Sequence, residues 1–203
     1  MKQILLLGDS IRMGYCKYVR AALDGACDVV FPEENCRFAA YFYRYLHEWK
    51  NQLCKDGDPV VVHWNTGLWD VLELFEEGCL TRPEVYGDYI ERICVRMKKL
   101  FPNAKIIFAT NTPIIEAKYS KNFKRCNATI EQYNAIAVEI VRRHGFEVND
   151  LYAKTKDLGE EYHSDATHFN NPLGAEYMTN LVLPVVCEAA GIDCPKFTYT
   201  EKL

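Results

Sequence analysis

The sequence lacks the long apolar segment of a membrane protein, since no stretch approaches the roughly 20 apolar residues that a bilayer-spanning helix needs. It also lacks an excess of basic residues: 24 Lys and Arg stand against 28 Asp and Glu, for a net charge of −4. That balance argues against a nucleic-acid-binding surface. The segment Met1–Leu7 has one lysine and a short apolar run but no small-residue cleavage site, so we interpret it as a buried strand rather than a signal peptide.

Motifs of cofactor and metal sites are missing as well. The chain has no Cys-x-x-Cys pair among its nine cysteines, no Gly-x-Gly-x-x-Gly turn and no Gly-x-x-x-x-Gly-Lys loop. These absences argue against zinc-ribbon, dinucleotide-binding and P-loop proteins. The five histidines are scattered along the chain, so we predict no metal and no cofactor. We interpret the cysteines as reduced, small hydrophobic residues of a cytoplasmic protein.

What the sequence does contain is an alternation of strand-like and helix-like segments over 203 residues, which fits a single domain spanning positions 1–203. Short apolar runs predict strands at Gln3–Leu7, Cys27–Phe31, Pro59–Trp64, Lys105–Thr110 and Phe146–Val148. Helical spacing predicts helices at Tyr15–Leu23, Arg37–Leu53, Pro83–Leu100, Asn127–His144 and Pro172–Ala190, the last bent near Pro184. This alternation predicts an α/β fold with a mainly parallel, five-stranded sheet.

Polar residues follow several of the predicted strands. Ser10 comes after the first strand in Gly8-Asp9-Ser10, Asn65 follows the third, and Asp165 and His168 precede the last helix. Ligands of parallel sheets bind outside the carboxyl ends of the strands, so we expect these side chains to meet at one edge.

A serine, a histidine and an acid in this placement suggest nucleophilic chemistry. A three-residue offset lets Asp165 bind one ring nitrogen of His168, which leaves the other nitrogen to take the proton of Ser10. Each piece has a simpler interpretation: Ser10 could be a helix N-cap, and the pair could be a surface contact. Glu160 and His163 have the same offset and form a rival pair in a more acidic context.

Other residues leave two interpretations open. Asn65 could donate to an oxyanion or could close a turn after its strand. One of Trp64 and Trp69 is expected in the core and the other beside substrate. Arg12 could meet an anionic substrate group or form an ion pair on a helix face. The segment 111–125 could cover the site, although we favour a simple solvated loop.

Taken together, these residues resemble the SGNH, or GDSL-type, esterases and lipases. Gly8-Asp9-Ser10 resembles the nucleophile block of that family, Asn65 resembles the asparagine of its third block, and Asp165-Ala166-Thr167-His168 resembles its last block. The resemblance implies a flavodoxin-like three-layer α/β/α fold. It also implies Ser10, Asp165 and His168 as catalytic residues, with the Ser10 N–H and the Asn65 amide as oxyanion donors.

The chain departs from the family pattern at two places. No glycine occurs between Gly25 and Gly57, so in the matching segment 32–37 either a non-glycine N–H near Asn35 replaces the second-block glycine N–H or that donor is absent. The third block reads His63-Trp64-Asn65-Thr66 in place of Gly-x-Asn-Asp. The resemblance implies a serine esterase acting on a small O-acyl ester, such as an acetyl ester on a carbohydrate. The missing glycine motivates the alternative, a catalytically silent domain of this type that binds a polar ligand or a protein.

Overall fold

The computed structural model describes residues 1–55 and 57–200. Its strands are β1 Gln3–Leu7, β2 Asp28–Val30, β3 Val61–Trp64, β4 Glu73–Leu74, β5 Lys105–Ala109, β6 Phe123–Lys124 and β7 Glu147–Asn149. Its α-helices are α1 Ser10–Ala22, α2 Ala39–Leu53, α3 Pro83–Leu100, α4 Asn127–Arg143, α5 Leu151–Thr155 and α6 Pro172–Ala190. Single 3₁₀ turns occupy Glu116–Lys118 and Glu160–Tyr162.

Five strands form one parallel sheet in the order β2-β1-β3-β5-β7. The inner strands β1 and β3 are almost entirely buried, as continuous apolar runs covered on both faces should be. Helices α1 and α6 pack against each other, whereas α3 packs between α2 and α4. The predicted three-layer α/β/α fold with a five-stranded parallel sheet is therefore confirmed.

The register of the sheet brings the loops after β1, β3 and β5 to one edge. Leu7 lies beside Trp64, and Trp64 lies beside Phe108. The chain leaves each of these strands at nearly the same level, so Gly8 and Asn65 become neighbours, and the Asn65 N–H donates to the Leu7 carbonyl at 3.1 Å.

The prediction for the first helix was wrong at its start, since α1 begins at Ser10 rather than Tyr15. Asp9 caps it by accepting from the Ile11 N–H at 3.0 Å, which satisfies a donor of the first turn. Gly14 lies inside this helix because Asn170 packs against it: a Cβ at Gly14 would lie 2.4 Å from Asn170 Oδ1. The helix signal was therefore masked by a glycine that packing requires.

Short elements were not predicted at all. Strands β4 and β6 form a two-stranded antiparallel ribbon beside the main sheet, and α5 is a helix of five residues after β7. Each is too short to show a hydrophobic period. Helix α3 has the predicted bounds, and so does α6, which continues through Pro184. No helix within residues 1–55 and 57–200 combines the length and apolar character needed to cross a membrane.

Candidate active site

Ser10 lies in the first turn of α1, directly after the carboxyl end of β1. Its placement depends on Gly8, because a Cβ at Gly8 would lie 1.9 Å from Asn65 Oδ1. The neighbouring Asp9 is fully buried, and burial raises its pKa, although the Asn65 side chain and the Ile11 N–H oppose that rise. The serine hydroxyl thus stands at the N-terminal end of a capped helix, where free N–H groups favour negative charge.

His168 reaches this serine from the loop that precedes α6. Its Nε2 lies 2.8 Å from Ser10 Oγ, and its Nδ1 lies 2.8 and 3.0 Å from the two carboxylate oxygens of Asp165. Since Nδ1–H donates to the acid, Nε2 is left as the acceptor for the hydroxyl proton. The three side chains form one unbroken chain of hydrogen bonds, as the sequence predicted.

Asp165 is held as an anion by its own loop. Partial burial tends to raise the pKa of Asp165, but hydrogen bonds from the Thr167 N–H and from His168 outweigh that effect and leave the pKa below its ordinary value. The Thr167 and His168 backbone N–H groups donate to Asp165 Oδ1 at 2.7 and 2.9 Å. The carboxylate is therefore fixed in the position from which it orients the imidazole.

The rival pair, Glu160 and His163, is not assembled in this way. Glu160 forms an ion pair with Lys118 at 2.8 Å. The ring of His163 packs on Phe169 with centroids 4.1 Å apart. This histidine is thus a packing residue of the loop.

Asn65 is buried against the turn that leads into Ser10. Only 3% of its surface is accessible, and its Oδ1 has no hydrogen-bond partner. Its side chain lies against Gly8 and interacts with the carboxyl of Asp9. The structure brings Asn65 next to the Gly8-Asp9-Ser10 turn, as expected.

The segment 32–37 approaches Ser10 from the other side and is held by Arg12. The Arg12 guanidinium, 1% exposed, donates to the carbonyls of Pro32 at 2.8 Å and Glu34 at 2.6 Å. It also donates to the Gly8 carbonyl at 3.3 Å. Both interpretations of Arg12 from the sequence were wrong, because this buried cation binds neither a carboxylate nor open solvent; it ties the segment to α1.

Within segment 32–37 two backbone donors are already engaged. The Cys36 N–H donates to the Gly8 carbonyl at 3.1 Å, and the Arg37 N–H donates to Asn35 Oδ1 at 2.7 Å. Arg37 has a φ of +53°, a left-handed conformation more usual for glycine. Asn35 itself faces the same cavity as Ser10.

A cavity of about 550 Å³ opens in front of Ser10 and His168. Its apolar wall comes from the loop after β3 and from β6: Leu68, Trp69, Leu72 and Phe123. Trp64 is fully buried against Phe42 and Phe108, which settles the choice between the two tryptophans. Trp69 is the one beside the cavity.

Another part of the cavity wall comes from segment 111–125, which we favoured as a solvated loop, so that prediction was wrong. Lys118, Tyr119, Ser120 and Arg125 all line the cavity. The segment is held against the loop that carries Asp165 and His168, because the Tyr119 hydroxyl hydrogen-bonds to Thr167 and the Ile115 N–H donates to the Ala166 carbonyl at 2.9 Å. Its polar contacts are with distant residues, which a local pattern does not reveal.

Asn111 also follows a strand at this edge but does not join the cavity. Its side chain and N–H both donate to Asn134 Oδ1, at 2.9 and 2.8 Å. In the part of the chain that is described, no cluster of three or more His, Cys, Asp or Glu side chains is placed to hold a metal ion.

Comparison with known proteins gives matches among solved structures only; no family model and no curated protein matches the chain. A lipase/acylhydrolase from Enterococcus faecalis superposes with a TM-score of 0.71 at 19% identity, covering 94% of this chain and 96% of that one. A GDSL-like lipase from Bacteroides thetaiotaomicron gives a TM-score of 0.72 at 18% identity, covering 93% and 89%. The chain has the SGNH hydrolase fold. An acetyl xylan esterase shares this fold at a TM-score of 0.69 and 17% identity, covering 91% and 99%.

The sequence indicates the motif residues Ser10, Asp165 and His168, whereas of the cavity walls it offers only segment 111–125, as the less favoured cover of the site. Tyr119, Phe123 and Arg125 lie in a segment with no period, and Asn35 lies in the segment without glycine. One signal was present: aromatic and basic residues are concentrated between positions 118 and 125. Such a concentration in a long loop is more typical of a binding wall than of a plain connection.

Proposed function

We propose that this protein is a serine esterase that hydrolyses a small O-acyl ester through an acyl-serine intermediate. One observation supports the proposal above all others: His168 Nε2 lies 2.8 Å from Ser10 Oγ while Nδ1 is bound by Asp165. A hydroxyl is a weak nucleophile until an adjacent base takes its proton, and this geometry supplies the base and orients it.

In the proposed reaction His168 removes the Ser10 proton as Oγ attacks the ester carbonyl carbon. The C=O π electrons move to oxygen and give a tetrahedral oxyanion. His168 then gives its proton to the alcohol oxygen as the C–O bond breaks, which leaves the acyl-serine. Water, deprotonated by the same nitrogen, attacks the acyl carbon and returns Ser10 with release of the carboxylic acid. Asp165 stabilises the imidazolium and keeps its charge throughout.

The oxyanion requires donors, and we assign two of them to the Ser10 N–H and the Asn65 amide. The first belongs to the open first turn of α1, and the second belongs to the side chain packed on Gly8. For the donor that a second-block glycine supplies in other SGNH hydrolases, we assign Asn35. Its Oδ1 is occupied by the Arg37 N–H, so its NH₂ is left to face the cavity.

The size and lining of the cavity support a small substrate. A volume of about 550 Å³ lies within the usual range for small-molecule sites, and the wall of Leu68, Trp69 and Leu72 suits one short acyl group or a sugar ring. The fold shared with an acetyl xylan esterase is consistent with acetyl on a carbohydrate. We therefore propose a short O-acyl ester as substrate.

Labelling with a fluorophosphonate tests this proposal directly. The wild-type chain should gain one phosphonyl group on Ser10, located by peptide mass spectrometry, and should hydrolyse 4-nitrophenyl acetate. Ser10→Ala should do neither. Ser164→Ala, which changes a serine of the loop that carries Asp165 and His168, should still be labelled. A wild-type chain that folds but is not labelled would support the alternative of a silent binding domain. A preference for long-chain 4-nitrophenyl esters over acetyl would overturn the short-acyl assignment.

A further inference from the structure

Arg125 places a positive charge in the cavity that contains Ser10 and His168, and no carboxylate of the described chain lies within ion-pair distance of it. Its neighbours are mostly aromatic: the guanidinium carbon lies 5.9 Å from the ring centres of both Tyr119 and Phe123. A half-buried cation among aromatic rings loses hydration, and the charge of Arg125 acts on the buried Asp9 carboxyl only from beyond ion-pair distance. The structure thus contains a charge that the proposed ester chemistry does not use.

The hydrogen bonds of Arg125 hold its guanidinium in place but use only some of its N–H donors. Nε donates to the Leu68 carbonyl at 2.5 Å and Nη1 donates to the Tyr119 hydroxyl at 3.0 Å. Both acceptors are neutral, and no residue of the described ranges 1–55 and 57–200 accepts a hydrogen bond from Nη2. Since a guanidinium presents five N–H groups in a planar fork, donors remain for a planar anion.

Lys118 provides a contrast in the same cavity. Its ammonium is already paired with Glu160 at 2.8 Å, so its charge is compensated from outside the cavity. Of these two cations, Arg125 is the one that forms no ion pair with a carboxylate of the described residues.

We propose that the natural ester carries an anionic group of the carboxylate class, and that Arg125 binds it beside the reacting acyl group. Arg125 is then a specificity-determining residue, and the substrate class is an O-acylated acid rather than a neutral ester. This inference rests on the proposed esterase function. The apolar wall of Leu68 and Trp69 would cover the ring or chain to which the anion is attached.

The test compares 3- and 4-acetoxybenzoate with the neutral 3- and 4-acetoxybenzamides, which are close in size and share the scissile acetyl ester. The variant Arg125→Gln removes the charge and keeps a polar side chain. We expect it to lower kcat/KM for the better benzoate about 10- to 100-fold more than for the matching benzamide, mainly through KM, because charge-assisted hydrogen bonds have about that strength. Arg125→Lys should retain part of the preference, and added salt should raise KM for the benzoate alone.

Lys118→Gln is the matched control, because it removes a cation of the same cavity that already has a partner; it should change benzoate and benzamide kinetics equally. An equal loss on both probes in Arg125→Gln would show that Arg125 only holds its segment in place, and would overturn the inference. A wild-type preference for the benzamides that Arg125→Gln leaves unchanged would overturn it as well. Failure of the esterase proposal is distinguishable, since the wild-type chain would then hydrolyse neither probe and Ser10 would not react with a fluorophosphonate.

Discussion

Two segments approach Ser10 from opposite sides, and they are held in different ways. The loop that carries Asp165 and His168 is fixed by its own residues, because Asp165 accepts hydrogen bonds from the Thr167 N–H, the His168 N–H and the His168 ring within three positions. The segment 32–37 is instead fixed by Arg12, whose guanidinium crosses from α1 to two of its carbonyls.

The difference matters for chemistry as well as for folding. A loop whose hydrogen bonds join residues two or three positions apart is held by a short sequence motif. The distance between its carboxylate and its imidazole therefore does not depend on the residues that surround the loop. A segment fixed by a distant guanidinium can change its own residues as long as its carbonyls stay in place. This arrangement explains why segment 32–37 can lack a glycine and still be held beside Ser10, whereas the short Asp165–His168 motif is present in full.

The largest effect is expected from Asp165→Asn, which tests the self-contained loop. Asn keeps an acceptor for the Thr167 and His168 N–H groups but no longer stabilises the protonated ring. We expect kcat for 4-nitrophenyl acetate to fall by about 10³- to 10⁴-fold with little change in the free energy of unfolding. Glu160→Gln, from the rival pair, should leave kcat unchanged. A large loss in Glu160→Gln with a small one in Asp165→Asn would reverse the assignment of the acid.

The two proposed amide donors of the oxyanion can be removed one at a time. Asn65→Ala should lower kcat about 100- to 1000-fold, because a buried donor cannot be replaced by water. Asn35→Ala should lower it less, about 10-fold, since this half-buried side chain can be replaced by a water molecule. Stopped-flow acylation rates measure both. If Asn65→Ala loses stability but keeps its acylation rate, the Asn65 amide is a packing group of the Gly8 turn.

The third prediction concerns the guanidinium that holds segment 32–37. Arg12→Met fills a similar volume but leaves the Pro32 and Glu34 carbonyls without their donor, so the free energy of unfolding in urea should fall by about 2–3 kcal/mol. Because the segment faces the cavity through Asn35, kcat should fall too, by about 10-fold.

The matched control for that variant is Arg20→Met on the same helix. Arg20 is exposed and donates to a single carbonyl, that of Val29, so its loss should cost under about 1 kcal/mol. Equal losses in the two variants would mean that Arg12 does not hold the segment specifically.

The same contrast explains what the sequence could reveal. The strands, the bounds of α3 and α6, and the residues Ser10, Asn65, Asp165 and His168 follow from runs, periods and short motifs, because each signal lies within a few positions. The edge of the sheet then brings them together by topology alone, with Ser10 and His168 158 positions apart.

The parts that resisted prediction depend on contacts between distant residues. From the sequence, Arg12 is expected to meet an anionic substrate group or to form an ion pair on a helix face. Only the fold shows that its buried guanidinium donates to two carbonyls of another segment. Likewise Arg125, Tyr119 and Thr167 join two loops that are remote in sequence. The cavity walls, and with them the specificity, are therefore the least predictable part of the molecule.

The smallest expected effect is on the stability of the fold at acid pH, which both segments need in order to stay in place. It depends on His63 in β3. The ring is wholly buried between the Tyr15 hydroxyl and the Asn149 amide, and burial lowers its pKa to about 3. In the unfolded chain the ring takes up a proton below its ordinary pKa of 6.5, whereas the folded chain does not until about pH 3. Stability is thus present above pH 6.5 and is lost as the pH falls, because only the unfolded state gains the proton.

This linkage predicts a loss of about 2 kcal/mol in the free energy of unfolding between pH 8 and pH 5 from His63 alone. Urea titrations at several pH values measure it, with His63→Leu expected to flatten the slope and His47→Gln, a control whose side chain is 45% exposed, expected to leave it intact. An unchanged slope in His63→Leu would assign the acid sensitivity elsewhere. Activity lost in a range where the chain is still folded then belongs to the Ser10 site, and activity lost together with structure belongs to the sheet beneath it.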